Sequence, residues 1–288
     1  MFLVLRPLPE SPRNLNVRDV NKSGATFEWS GGSGDIVSND LIIAKGVSSP
    51  YTADDLKSNT EYTVKVVNFG GESNTVAFKT KEITYKEVTI ICDFVNKTYD
   101  SLLENSNVAK MQASTNLLLP DASNFYELDQ SRYNGIMEMN DGKLYSVTNT
   151  TKNNRLQVVL YYNVVEAIEQ FDSNYFFEKG ANTDEEKAAM VNQEVLSAES
   201  NVYGFGSALD STAFRTAVFI DNGWGNKTVT NGMEIQRNVI SLDGISIGTD
   251  GLLPVLVYAD ASGGTTETAS ALRIDYANLE LKILQEED

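Results

Sequence analysis

The chain has 288 residues, 41% of them apolar, and a formal net charge of −17. That is long enough for one large domain or two ordinary ones, and too apolar for a disordered chain. It has no histidine and one cysteine, so the commonest general base and zinc ligand are missing, an intrachain disulfide is excluded, and most hydrolytic constellations lose their imidazole.

The first residues, MFLVL, are apolar but far shorter than the core of a signal peptide, and they lack a basic leader and a small-residue cleavage site. No apolar run approaches the ~20 residues that span a bilayer. The expectation is a soluble protein made in a cytoplasm, without membrane insertion.

Short alternating runs follow. Leu15 and Val17 share one face of NLNV, and Phe27 and Trp29 share one face of ATFEWS. Tyr62, Val64 and Val66 fall on one face of a third run, Gly70 and Gly71 break it, and Val76 and Phe78 resume the alternation. Strands this short, at this spacing, predict a small antiparallel sandwich.

Pro12 stands ahead of Leu15, Trp29 near the end of the second run, then Leu56, Thr60 and Tyr62, and finally Thr80. On these residues, positions about 10–81 resemble a fibronectin type III domain. The resemblance implies a tyrosine corner, in which Leu56 caps the core while Tyr62 packs its ring inside and returns its hydroxyl to nearby backbone, with Trp29 in the same core. The corner's usual proline is Ser58 here, and no Arg-Gly-Asp triplet is present.

Residues 1–81 carry nine basic and nine acidic side chains; residues 82–288 carry fourteen and thirty-one. The whole acidic excess therefore lies in the second region, which places a domain boundary near Lys81. It also argues against nucleic acid as a partner, since a phosphate-binding surface needs clustered Lys and Arg.

In the second region KEVTIICDFV reads as a strand, with Cys92 as a small buried apolar residue. LQVVLYYNVVEAIEQF is a strand whose latter half reads equally as helix. Thr183 followed by Glu186 opens one helix. TAFRTAVFI, GMEIQRNVISL and LLPVLVYAD are strands, and ALRIDYANLELKIL shifts its alternation near Ala277 and Asn278, as a bulge would. The fold class expected is mostly all-β: a fibronectin type III-like sandwich over 1–81, then an acidic, β-rich, jelly-roll-like domain over 82–288 with one inserted helix.

Two stretches, YGFG and DNGWGNKT, place aromatics between glycines. Tyr203, Phe205 and Trp224 are candidate ligand contacts, because a ring held open by glycines stacks on a sugar or a partner. The alternative, and the preferred one, is a ring folded back as a loop plug. NDGK and SLDGISIGTDG supply oxygen ligands without the spacing of a calcium loop, and read as turns. No phosphate loop, dinucleotide fingerprint or metalloprotease motif occurs, so no catalytic, cofactor or metal residue is assigned and the chain is expected not to be an enzyme. Paired carboxylates for glycoside hydrolysis stay open in so acidic a chain.

Taken whole, the chain resembles structural proteins of bacteriophage particles of the decoration, fibre, collar or baseplate type. That resemblance implies a virion component made in the host cytoplasm, partnered by other virion proteins and by copies of itself, with a host surface glycan as a further partner. The alternative is a carbohydrate-binding protein with the fibronectin-like domain as spacer.

Overall fold

The computed structural model describes residues 8–287, so the MFLVL stretch lies outside the described residues. The chain is mostly strand and forms two compact units, one reaching to Lys86 and including Glu286 and Glu287, the other Glu87–Gln285.

The first unit contains β1 (Arg13–Arg18), β2 (Ala25–Ser30), β3 (Gly34–Ser38), β4 (Leu41–Val47), β5 (Tyr51–Ala53), β6 (Glu61–Asn68), β7 (Gly71–Glu72) and β8 (Val76–Lys79). Strands β1-β2-β5 form one sheet and β4-β3-β6-β7 the other, with β8 also on β6, and every pairing is antiparallel. This is a two-sheet sandwich of the kind the fibronectin resemblance implies. Inward residues of both sheets, including Leu15, Phe27, Trp29, Ile36, Val64 and Val66, make its core. Leu56 is buried in the same cluster, and the Tyr62 hydroxyl accepts from the Lys57 backbone N–H at 2.8 Å while its ring stacks on Phe78 with centroids 5.4 Å apart. The Trp29 indole N–H donates to the Gly32 carbonyl at 3.1 Å.

The second unit begins in β9 (Tyr85–Asp93) and continues through β10 (Val108–Ser114), β11 (Tyr126–Glu127), α1 (Gln130–Tyr133), β12 (Tyr145–Asn149) and β13 (Arg155–Asn163). Three helices follow: α2 (Val164–Phe171), α3 (Tyr175–Glu178) and α4 (Asp184–Glu194). The chain then runs through β14 (Val195–Ser207), β15 (Ala213–Ile220), β16 (Gly223–Asn231), β17 (Gln236–Leu242), β18 (Leu252–Ala259) and β19 (Ser270–Glu286).

Its strands make a six-stranded sheet, β11-β10-β13-β18-β15-β16, and a five-stranded one, β12-β19-β14-β17 with β9 on β19. From β12 onward the chain changes sheet at almost every step, which is jelly-roll-like connectivity. Period-two alternation sends Met111, Val158, Leu160, Val255 and Val257 from the first sheet, and Val202, Leu272, Ile274, Leu279 and Leu281 from the second, into one core.

Two expectations are corrected. The one inserted helix, α4, is present with its Thr183–Glu186 capping box, but α1, α2 and α3 accompany it. The open half of LQVVLYYNVVEAIEQF is α2, and it turns from strand to helix at Asn163, whose side chain accepts from the Glu166 N–H at 3.1 Å. The irregularity in β19 lies at Asp275, not at Ala277 and Asn278: β14 pairs Tyr203 with Tyr276 and then Gly204 with Ile274. Tyr276 consequently leaves the core face and packs beside Tyr203, ring centroids 6.0 Å apart.

Candidate functional site

The six-stranded sheet is apolar on both faces. Its inner face belongs to the core. Its outer face carries Val159, Tyr161, Ala217, Leu256 and Tyr258, with Val108, Leu117, Phe125, Trp224 and Leu252 packed against them. Strand register sets a row across this face. Val108 pairs with Tyr161 and Tyr161 with Pro254. Phe219 lies one step beyond the last registered β15–β18 pair, Val218–Val255, and pairs with Trp224 across to β16. One large side chain per strand is thus aligned on a surface that solvent would otherwise wet.

Above this row is a groove of about 1000 Å³. Val108, Tyr161, Phe219, Leu252 and Pro254 form its floor, and three loops form its walls. The first wall, between β10 and β11, contributes Leu119, Pro120 and Asp121. It is tied to two strands beneath it, β13 and β16. Gln157, fully buried, donates to the Asn116 carbonyl and accepts from the Leu118 N–H, both at 2.9 Å. The Tyr161 hydroxyl donates to the Pro120 carbonyl at 2.6 Å, and the Trp224 indole donates to the Leu118 carbonyl at 2.7 Å. Buried amide and hydroxyl groups bonded this way hold a loop in one conformation.

The second wall, between β9 and β10, contributes Asp100, Ser101, Leu102 and Ser106. It closes around Lys97, whose side chain is buried and whose ammonium donates to the carbonyls of Ser101 at 2.6 Å and Asn105 at 3.1 Å. Burial lowers the Lys97 pKa, opposed by the nearby carboxylates of Glu127 and Glu166. The third wall, between β17 and β18, contributes Ser246, Gly248 and Asp250. Asn192 of α4 anchors it through a reciprocal pair with the Ile247 backbone, at 2.7 and 3.1 Å.

Polar residues line the space between the walls: Asn163, Asn222, Asp100, Asp121, Glu127, Asp250 and Lys110. The Lys110 ammonium sits 5.3 Å from the Tyr161 ring centroid. Burial, helped by the charge of Asp121, pushes the Tyr161 hydroxyl up to about 12, so it stays a donor at neutral pH. An apolar, partly aromatic floor with amides and carboxylates around it can take the C–H face of a sugar ring and satisfy its hydroxyls. Among the described residues no group of three His, Cys, Asp or Glu side chains could hold a metal ion, and no helix is long and apolar enough to cross a membrane.

Of the aromatics singled out in the sequence, Trp224 is half-buried at the edge of this outer face, edge-on to Phe219 with centroids 5.3 Å apart. Tyr203 and Phe205 lie on β14 of the other sheet, so the core of the sandwich separates them from Trp224. Their flanking glycines serve packing, not ring access. A Cβ on Gly204 would meet the Arg273 carbonyl oxygen at 2.2 Å, and one on Gly206 the Ala213 carbonyl oxygen at 2.6 Å. Sequence reasoning missed Tyr161, Phe219, Asp121 and Asp250. The available signal was Tyr161 and Phe219 at outward positions of strands whose inward residues are apolar but for Thr216.

No protein-family model matches the chain, and no curated protein does. Among solved structures it is similar to SGBP-B from a complex xyloglucan utilization locus in Bacteroides uniformis, at 12% identity over 94% of this chain and 73% of that one, with a TM-score of 0.28. It is similar to carbohydrate-binding modules of the β-sandwich superfamily at 10% identity, over 98% of this chain and all of that one, with a TM-score of 0.20. The first three fibronectin domains of chicken contactin 1 match at 8% identity over 89% of this chain and 95% of that one, also at 0.20. Superpositions this loose carry no argument about fold or function.

Proposed function

We propose that the chain is a carbohydrate-binding protein whose second unit holds an oligosaccharide in the groove on the outer face of its six-stranded sheet, with the first unit as a spacer. The observation that carries this reading is the floor: a register-aligned row of apolar and aromatic side chains, with Val108, Phe219 and Pro254 still half-open, between three walls that hydrogen bonds from the side chains of Gln157, Lys97 and Asn192 already hold in place. A site organised before binding avoids much of the ordering cost of association. The role is binding without turnover.

A panel of immobilised glycans, followed by titration calorimetry on those retained, tests it. The intact chain is expected to bind at least one glycan, and Phe219→Leu, which keeps apolar volume but removes the ring, to bind it about 10-fold more weakly, the equivalent of about 1.4 kcal/mol. Retention unaffected by Phe219→Leu moves the site elsewhere.

Assembly into a virion is the second reading. It is favoured by Leu41 and Ile42, 74% and 55% exposed on the edge strand β4 of the first unit. A homo-oligomer that retains no glycan in the same panel would reverse the order of the two.

A further inference from the structure

The ionisable side chains lining the groove are lopsided. Asp100, Asp121, Glu127 and Asp250 face one cation, Lys110. Among the described residues none of the four carboxylates is in an ion pair. Glu127 takes the Tyr133 hydroxyl at 2.8 Å and Asp250 the Leu252 N–H at 3.2 Å, both from neutral donors. The Lys110 ammonium is drawn against the Tyr161 ring. Even with the buried ammonium of Lys97 counted, since it feels Glu127, the acidic excess stands. Carboxylates around a low-dielectric floor focus a negative potential into the cleft.

We infer that the groove selects a glycan bearing free amino groups and rejects uronate, sulfate or phosphate polymers. This inference rests on the glycan-binding reading and names the class of sugar that reading leaves open. An ammonium on a sugar ring gains charge-assisted hydrogen bonds from Asp121 or Asp250, which line the groove from different walls, while the ring's apolar face meets Phe219 and Pro254. An anionic residue in the same place meets repulsion from four carboxylates with Lys110 alone to relieve it.

The test compares three oligosaccharides of equal length on the intact chain: β-1,4-linked glucosamine, its N-acetylated counterpart and oligogalacturonate. The expected result is that the amino oligomer binds about 10-fold more tightly than the acetylated one at low ionic strength, that galacturonate does not bind, and that the gap closes in high salt. The double variant Asp121→Asn/Asp250→Asn is expected to abolish the preference, read as the ratio of affinities for the amino and acetylated oligomers. Asp54→Asn/Asp55→Asn, which removes the same charge from an exposed loop of the first unit, is expected to keep it. Equal affinities, or tighter binding of galacturonate, would overturn the inference and leave the glycan-binding reading standing. A preference untouched by the groove variant would overturn it too, by tracing the effect to the acidic surface at large. Binding of none of the three would count against both.

Discussion

Removing the indole of Trp224 takes away two contacts at once: the hydrogen bond to the Leu118 carbonyl and the edge-on packing against Phe219. The carbonyl is left without that donor, and the loop over the outer sheet face loses one of its ties. Trp224→Ala is therefore expected to destabilise the protein by about 2–3 kcal/mol in urea denaturation. A change within about 0.5 kcal/mol, the range of an ordinary surface position, would show that the ring ties nothing down and would restore it as a ligand contact. At this scale the sequence was half legible. An aromatic set between glycines in DNGWGNKT marks a ring with a special task. Its partner, 106 residues away, lies in a loop whose sequence names no acceptor. The Tyr62 corner is easier to read because its acceptor contact to Lys57 is five residues away.

Elements were legible where their signal is local. Thr183 and Glu186 mark the start of α4 because a capping box is a four-residue device. The strand-to-helix change at Asn163 was hidden inside a continuous apolar run, and only the asparagine itself, a good helix cap in the middle of that run, signals it. Strand β14 shows the opposite problem. Its two glycines read as loop, yet they sit where neighbouring backbone comes too close for a side chain. Gly204→Ala is expected to cost about 2–3 kcal/mol, because the new Cβ would meet the Arg273 carbonyl oxygen and the Phe214 ring edge and the strand must move. Gly223→Ala, at a turn with nothing within 4 Å, is expected to be close to neutral. Paired thermal melts of the two variants measure the contrast, and a neutral Gly204→Ala would mean that the approach of β14 to β19 is looser than drawn. The groove is the element-scale feature the sequence hides most completely. Its floor is a row made by register between strands far apart in the chain, and no local pattern encodes register across a sheet.

For the molecule as a whole, charge was the most legible property. The neutral first 81 residues and the acidic remainder correspond closely to the two compact units. Self-repulsion among like charges weakens a compact state, and salt relieves it by shortening the Debye length, from roughly 20 Å at about 20 mM to roughly 5 Å at about 0.5 M. The second unit carries −14 of the net charge of −17, so its melting should respond, while the first unit, at −3, has little repulsion to lose. Differential scanning calorimetry over that range of sodium chloride is expected to show one transition rising by several degrees and another nearly fixed. Phe219→Leu and Trp224→Ala assign the transitions, since each lies in the second unit and should lower the salt-sensitive one alone. Two transitions that rise together would mean that salt acts on both units alike and not through the acidic excess; two that both stay fixed would mean that the acidic side chains are screened already at low salt, and the potential invoked for the groove would then be too weak to select an amino sugar.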